Sequence, residues 1–198
     1  MDSGRSDTTD PSLAVKIVVA GGFGVGKTTL VGSVSEIRPL RTDEDLTEKS
    51  VGIDDLSLVQ SKTTTTVAMD FGRITLRTGL VLYLFGTPGQ DRFWFMWDEL
   101  SQGALGAVVL VDTRRLADCF ASVDYFERRN VPFIVGINRF DAASGHSTEA
   151  VRAALDLGPD VPVITCDVRD RESGKQVLIT LVEHVLTSMS GRRDTVPG

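Results

Sequence analysis

Residues 14–28, AVKIVVAGGFGVGKT, join an apolar, strand-like run to a glycine-rich loop and to the beginning of a predicted helix. Residues 21–28 fit the pattern G-x-x-x-x-G-K-[ST]. Glycines allow successive backbone N–H groups to point inward at phosphate oxygens, and a helix N-terminus adds partial positive charge. This stretch therefore predicts a phosphate-binding loop between a buried strand and a helix.

Two side chains at the end of the loop complete the predicted phosphate site. Lys27 can reach the β and γ phosphates of a nucleotide, and the Thr28 hydroxyl can bind Mg²⁺. The alternative, a glycine-rich turn that contains Lys-Thr by chance, is disfavoured because motif and context are both satisfied. The predicted nucleotide contacts in this region are Gly21, Gly22, Phe23, Gly24, Val25, Gly26, Lys27, Thr28 and Thr29.

The composition is that of an ordinary globular domain. The chain has 198 residues, of which 41% are apolar and 24% charged, so one domain with a proper core is expected. Its net charge of −6 argues against a nucleic-acid binder and against attachment to anionic lipid. We predict a domain at 13–189 between flexible tails at 1–12 and 190–198.

The chain lacks the sequence features of a secreted or membrane-spanning protein. No apolar run approaches 18 residues, so no transmembrane helix is predicted. Two cysteines, Cys119 and Cys166, suit a reducing cytosol better than a disulfide framework. We expect a cytoplasmic protein whose membrane association, if any, comes through a partner.

Apolar strands alternate with helical patterns along the domain. Strands are predicted at 14–20, 66–77, 80–85, 106–112, 132–138 and 161–165, and helices at 27–35, 91–102, 115–129, 147–156 and 172–189. Residues 38–62 are predicted to form a loop with at most a short element. The pattern predicts an α/β fold with three layers, in which a mostly parallel six-stranded sheet carries one antiparallel edge strand. Ligands in such folds lie beyond the carboxyl ends of the strands.

The stretch GINRFD (136–141) ends one of these strands and resembles the N-K-x-D motif of small GTPases. A carboxylate at Asp141 can accept two hydrogen bonds from guanine, which adenine cannot donate in that arrangement. Asn138 would brace the loop, and the aliphatic stem of Arg139 would cover the purine face. The alternative is an ordinary surface turn after a strand.

Over residues 14–189 the chain resembles the Ras-like small GTPase superfamily, and within it the bacterial Mgl-type and actinobacterial conservon GTPases. The stretches that carry this resemblance are GGFGVGKTTL, TTTTVAMDFGRI, LFGTPGQDRF and GINRFD. The resemblance implies a P-loop G domain that binds GTP or GDP with Mg²⁺ and acts as a molecular switch. It also implies protein partners, namely a roadblock-type small protein and a sensor-kinase-like protein. We expect the chain to be a monomer or a weak dimer. Cys166 and Asp167 occupy the position of the family's S-A-K motif, which contacts guanine O6.

The first switch of the family requires a hydroxyl that reaches Mg²⁺ and the γ-phosphate. Alignment on the family pattern selects Thr66 from the threonine run at 63–66. Mgl-type proteins can place an arginine immediately before this threonine, where this chain has Thr65.

The second switch is GTPGQ (86–90), where the superfamily has D-x-x-G-Q. The resemblance implies that the Gly89 N–H holds the γ-phosphate and that Gln90 orients the attacking water. Gly86 replaces the carboxylate that steadies Mg²⁺ through water. Arg92 and Arg73 are conceivable charge donors, but neither is an evident arginine finger. We therefore expect slow intrinsic hydrolysis and a need for an activating partner.

Several assignments stay open at this stage. Asp70 and Asp112 are candidates for the missing metal-side carboxylate, although a structural role is the simpler interpretation of each. The aromatic run FWFMW (93–97) either packs against the neighbouring helix and the first switch or provides anchors for a protein partner, and the two can alternate between nucleotide states. Two other functions compete with the GTPase switch: a nucleotide-loaded scaffold without useful hydrolysis, which Gly86 favours, and an ATP-driven P-loop enzyme, which Asp141 opposes.

Overall fold

The computed structural model describes residues 13–46, 65–77, 79–89, 96–140 and 146–193. Within them, seven strands form one sheet in the order β2-β3-β4-β1-β5-β6-β7. The strands are β1 Leu13–Gly21, β2 Leu40–Leu46, β3 Thr65–Arg77, β4 Leu80–Gly86, β5 Ala104–Val111, β6 Phe133–Asn138 and β7 Val163–Cys166. β1, β4, β5, β6 and β7 run parallel, and β3 runs antiparallel to both β2 and β4.

All six predicted strands are present, and the predicted α/β fold class is confirmed. The additional strand, β2, lies in the segment that was predicted to be a loop. Its sequence, LRTDEDL, has no apolar alternation, and it is a strand because it pairs with β3 from Leu40 opposite Phe71 to Leu46 opposite Thr65. The antiparallel strand β3 is consequently second from the edge, which corrects the prediction of an antiparallel edge strand.

The helices follow the predicted order with shifted ends. They are α1 Lys27–Val34, α2 Met96–Ser101, α3 Phe120–Arg128, α4 Thr148–Ala154 and α5 Arg171–Arg193. The predicted helix at 115–129 divides into a 3₁₀ segment, Thr113–Cys119, and α3. α5 continues to Arg193, so the predicted start of the C-terminal tail at residue 190 falls inside a helix. Residues 91–95 of the predicted helix 91–102 lie outside the described residues.

Two apolar clusters cover the two faces of the sheet, because alternate side chains of a strand point to opposite faces. Ile17 and Val19 of β1 pack with α1 and α5, whereas Val18 and Ala20 pack with the helices on the other face. Phe126 of α3 is fully buried in the second cluster. The sheet is therefore the middle layer of three. No helix of the described ranges is long and apolar enough to cross a bilayer.

The register of the parallel strands brings the sequence motifs to one edge of the sheet. Val19 of β1 lies opposite Gly86 of β4, and Asn138 of β6 lies opposite Cys166 of β7. The loop that follows β1 therefore lies at the same edge of the sheet as the segments that follow β4, β6 and β7. This is the edge at which ligands bind in open α/β sheets.

Candidate functional site

The glycine-rich loop after β1 packs closely against the ends of neighbouring strands. Gly26 has φ of +108°, a conformation that L-residues rarely adopt. A Cβ atom at this position would lie 2.9 Å from Nδ2 of Asn138 and 2.9 Å from Cγ2 of Val168. Glycine at position 26 is therefore required by both backbone conformation and space, as the phosphate-loop motif predicts.

Lys27 crosses the inside of this loop. Its side chain is buried, and Nζ donates hydrogen bonds to the carbonyls of Gly21 (2.8 Å) and Gly22 (2.7 Å). Burial lowers the pKa of Lys27 to about 8, an effect that the negative charge of Asp70 opposes. The ammonium group is thus held at the loop's concave side, where it can bind a phosphate oxygen.

The Thr28 hydroxyl donates a 2.5 Å hydrogen bond to Oδ2 of Asp70. Asp70 lies on β3 directly opposite Gly86 on β4. A Cβ atom on residue 86 would lie 3.2 Å from Cβ and 3.3 Å from Oδ2 of Asp70. The carboxylate of Asp70 therefore occupies the space beside Gly86, and Thr28 is one of its hydrogen-bond partners.

A cavity of about 410 Å³ opens between the phosphate loop and the segment after β4. It is lined by Phe23, Gly24, Gly26, Lys27, Thr28, Thr29, Asp70, Thr87, Pro88 and Gly89. Thr87 is buried, and its Oγ1 has no hydrogen-bond partner among the described residues. A buried hydroxyl without a partner is costly, so Thr87 favours a polar occupant in this cavity.

The donors and acceptors around this cavity fit a Mg²⁺–phosphate group. An ammonium group suits phosphate oxygens, and hydroxyl and carboxylate oxygens suit Mg²⁺ and its water ligands. Gly89 is close enough to the phosphate loop that a Cβ on it would lie 2.7 Å from Nζ of Lys27 and 2.9 Å from Cα of Phe23. The predicted phosphate-sensing glycine therefore lies against the predicted phosphate ligands.

Asn138 connects the end of β6 to the phosphate loop. Its side chain is buried, with Nδ2 donating to the carbonyl of Val25 (3.0 Å) and Oδ1 accepting from the N–H of Val168 (3.3 Å). The backbone N–H of Arg139 donates to the carbonyl of Cys166 at 2.8 Å. Asn138 thus braces the loop, in the role that the N-x-x-D pattern predicts for it.

The segment after β7 is held mainly by its own contacts. Asp167 accepts hydrogen bonds from Arg169 that hold its pKa at about 2, and its backbone N–H donates to Oγ of Ser173. Burial raises the pKa of the Cys166 thiol to about 12 and that of Cys119 to about 11. Cys166 is therefore a buried, un-ionised thiol, and the carboxylate and N–H of Asp167 are both engaged within the chain.

Some of the predicted site residues cannot be placed. Gln90, Arg92, Asp141 and the first three aromatic residues at 93–95 lie outside the described residues, as do Thr63 and Thr64. Thr66 is described through its backbone alone, which pairs with Asp45 in the β2–β3 ladder. Arg73 lies three residues beyond Asp70 on β3 and is not among the residues that line the cavity.

The two described residues of the aromatic run are core residues. Met96 and Trp97 are buried, and the Trp97 ring packs edge-on against Tyr125 and parallel to Phe126, with centroid distances of 5.3 Å and 6.2 Å. For these two positions, packing against a neighbouring helix is the correct interpretation.

The sequence interpretation missed two arginines that follow β5. Nη2 of Arg115 donates to the carbonyl of Phe23 at 2.9 Å, and the guanidinium of Arg114 lies 4.3 Å from the ring centre of Phe140. Asp112 accepts hydrogen bonds from Arg114, which confirms its expected structural role. The available signal was the position of DTRR (112–115) at the carboxyl end of a buried strand.

Comparison with known proteins shows the family to which the chain belongs. Residues 19–188 match the family described as "Conserved hypothetical ATP binding protein". The chain belongs to this family. It is also 30% identical to the uncharacterized protein MJ1339 of Methanocaldococcus jannaschii over 137 residues, which are 68% of this chain and 76% of that protein.

Solved structures show that the chain has the fold of a G domain. The G domain of the T. maritima FeoB iron transporter aligns with a TM-score of 0.61 at 18% identity, covering 87% of this chain and 99% of that domain. The FeoB cytosolic domain in apo form aligns with a TM-score of 0.62 at 16% identity, covering 87% of this chain and 64% of that one. At this identity the likeness shows the fold alone. The narrower resemblance to Mgl-type and conservon GTPases stays a prediction.

Proposed function

We propose that this protein is a guanine-nucleotide switch that binds GTP or GDP with Mg²⁺ and hydrolyses GTP slowly. The observation that carries the proposal is the junction of Lys27, Thr28 and Gly89 at one cavity, tied through Asn138 to the loop that precedes Asp141. Guanine is preferred because Asp141 can accept hydrogen bonds from the N1–H and 2-amino groups of guanine.

Each residue has a specific role in the proposed site. Lys27 binds the β and γ phosphates, Thr28 and Thr66 provide hydroxyl ligands for the metal, and the Gly89 N–H binds the γ-phosphate. Bound Mg²⁺ would neutralise charge on the phosphates. Asp70 takes the place of the carboxylate that Gly86 lacks, since its Oδ2 already lies on the Thr28 hydroxyl.

The proposed switch depends on protein partners both for fast GTP hydrolysis and for transmitting its nucleotide state. Gln90 orients the attacking water, but none of the described residues that line the cavity is an arginine. Hydrolysis is therefore slow until a regulator supplies charge, and the expected partners are a roadblock-type small protein and a sensor-kinase-like protein in the cytoplasm of a bacterium. Single-turnover GTP hydrolysis that is fast without a partner would contradict this. Retention of GTP after long incubation with such partners would favour the nucleotide-loaded scaffold instead.

The competing function is ATP binding, which the family's own description favours. The deciding experiment is a calorimetric titration of the Mg²⁺-loaded protein with GDP and, separately, with ADP. We expect GDP to bind orders of magnitude more tightly, and we expect Asp141→Asn to relax this preference. Asp124→Asn, on the exposed face of α3, is the matched control. Equal affinities in the wild-type protein would replace the guanine assignment with a general nucleotide site.

A further inference from the structure

Asp112 fixes a pair of consecutive arginines at the carboxyl end of β5. Only 4% of the Asp112 side chain is exposed, and its Oδ1 accepts hydrogen bonds from the backbone N–H (3.0 Å) and Nε (2.9 Å) of Arg114. Its Oδ2 accepts from Nη2 of Arg114 at 2.9 Å and lies 3.8 Å from Nε of Arg115. A buried carboxylate held by this many donors is a rigid anchor for both side chains.

The backbone gives the two arginines different neighbours. Arg115 has φ of −141° and ψ of 52°, which interrupts the 3₁₀ segment at that residue. Arg114 lies over the ring of Phe140, at 4.3 Å from its centre, whereas Arg115 reaches the carbonyl of Phe23 in the phosphate loop. One short segment therefore contacts both loops of the proposed nucleotide site.

The contact of this segment with the phosphate loop is extensive. Besides the 2.9 Å hydrogen bond to the Phe23 carbonyl, a guanidinium nitrogen of Arg115 would lie 3.5 Å from a Cβ on Gly24. A Cβ on Gly22 would lie 2.5 Å from Cβ of Asp118, whose carboxylate is 3.7 Å from Nη1 of Arg115. Three successive residues of the loop thus lie against the 3₁₀ segment.

The Phe23 carbonyl and the Gly24 N–H belong to the same planar trans peptide and point in opposite directions. A guanidinium that holds the carbonyl on one side therefore directs the N–H to the other side. Inward-pointing N–H groups are what a phosphate loop uses to bind its ligand. Arg115 can consequently act on the phosphates through the backbone without touching them.

On the base side, Phe140 lies between Arg139 and Asp141, the residues proposed to cover and recognise guanine. Stacking of a guanidinium on an aromatic ring is attractive and restricts the ring's position. Since Asn138 already ties the same loop to Val25, the Arg114 contact adds a second, independent attachment.

We propose that Asp112, Arg114 and Arg115 form a brace in which Arg115 positions the phosphate loop and Arg114 positions the base-recognition loop. The inference rests on the proposed function, because it assigns positioning residues to that same nucleotide site. Because the two arginines act on different loops, substitutions of Arg114 and Arg115 should have different effects on nucleotide binding.

The test measures release of a fluorescent GDP analogue and the ratio of GDP to ADP affinity in the full chain. Arg115→Ala should release GDP about tenfold faster with an unchanged GDP-to-ADP ratio, and Arg115→Lys should recover part of the loss, because a lysine retains the charge and a donor. Arg114→Ala should instead lower the GDP-to-ADP ratio severalfold. Arg128→Ala is the matched control, since that arginine lies on α3 in an exposed ion pair with Asp124.

The outcomes distinguish the brace from the proposed function. Wild-type binding of GDP with release and selectivity unchanged in both variants would overturn the brace alone. Equal losses of both properties in both variants would show a general structural effect and would also overturn it. A wild-type protein that binds neither GDP nor ADP would overturn the proposed function together with the brace.

Discussion

Asp70 and Gly86 face each other across β3 and β4. In the proposed switch, this pairing explains how a glycine can stand where small GTPases have a carboxylate. The carboxylate of Asp70 accepts the Thr28 hydrogen bond and lies where a side chain on residue 86 would extend. The proposed metal site therefore keeps one negative charge, although this charge comes from a different strand.

This placement predicts what should happen when the carboxylate is moved from residue 70 to residue 86. Asp70→Ala should weaken Mg²⁺-dependent retention of GDP by about 10- to 100-fold, as is usual when a group that orients a metal ligand is lost. Gly86→Asp alone should lower stability without metal, because it places a second carboxylate beside the first. The double variant Asp70→Ala/Gly86→Asp should regain part of the Mg²⁺ dependence.

Release of a fluorescent GDP analogue, followed across a Mg²⁺ titration, measures these effects. Asp124→Ala is the control for loss of an aspartate remote from the cavity. If Asp70→Ala matches the control at every Mg²⁺ concentration, Asp70 does not serve the metal.

At the scale of elements, α5 packs so closely on the side chains of α1 that no side chain fits at position 174. A Cβ on Gly174 of α5 would lie 2.6 Å from Cγ1 of Val34 and 3.0 Å from Cδ1 of Leu30. Gly32, on α1, is exposed, and the nearest atom to a Cβ there would be Cγ of Pro39 at 3.8 Å. Of these two helical glycines, Gly174 therefore has no room for a methyl group, whereas Gly32 has room for one.

Alanine substitutions at these two glycines should change stability in opposite directions. Gly174→Ala should lower the free energy of unfolding by about 1–3 kcal/mol, because the added methyl group overpacks a core contact. Gly32→Ala should raise it by about 0.5–1 kcal/mol, because alanine has the higher helix propensity. Urea denaturation of the nucleotide-free protein measures both, and a stabilising Gly174→Ala would contradict the close packing of α1 on α5.

For the whole molecule, the candidate site gathers loops from several strands, so a bound nucleotide should stabilise the entire fold. A ligand that binds only the folded state adds about 2.7 kcal/mol at a concentration 100 times its Kd. With Mg²⁺ present, GDP should therefore raise the thermal midpoint more than ADP at the same concentration. Removal of Mg²⁺ with a chelator should reverse part of the GDP effect.

Thermal unfolding of the full chain at fixed protein concentration tests this linkage. Lys27→Ala is the matched variant, because it removes the buried ammonium from the phosphate site, and its midpoint should not respond to GDP. If ADP and GDP raised the thermal midpoint of the wild-type protein equally, the site would recognise the phosphates and not the base.

The sequence by itself determined the phosphate loop, the six core strands and the order of the helices. These features depend on local conditions: glycines at fixed offsets, apolar runs of strand length and a lysine and threonine at the beginning of a helix. It did not reveal β2, because LRTDEDL is recognisable as a strand only through its pairing with β3.

Tertiary structure alone decided which carboxylate stands beside Gly86 and which arginine holds the phosphate loop. Asp70 reaches Thr28 across 42 positions of the chain, and Arg115 reaches Phe23 across 92. Such contacts follow from strand register and from the non-helical backbone conformation at Arg115, and neither produces a recognisable local sequence pattern. The residues that make up the phosphate loop are adjacent in the sequence, whereas the side chains that support the loop come together only when the sheet forms.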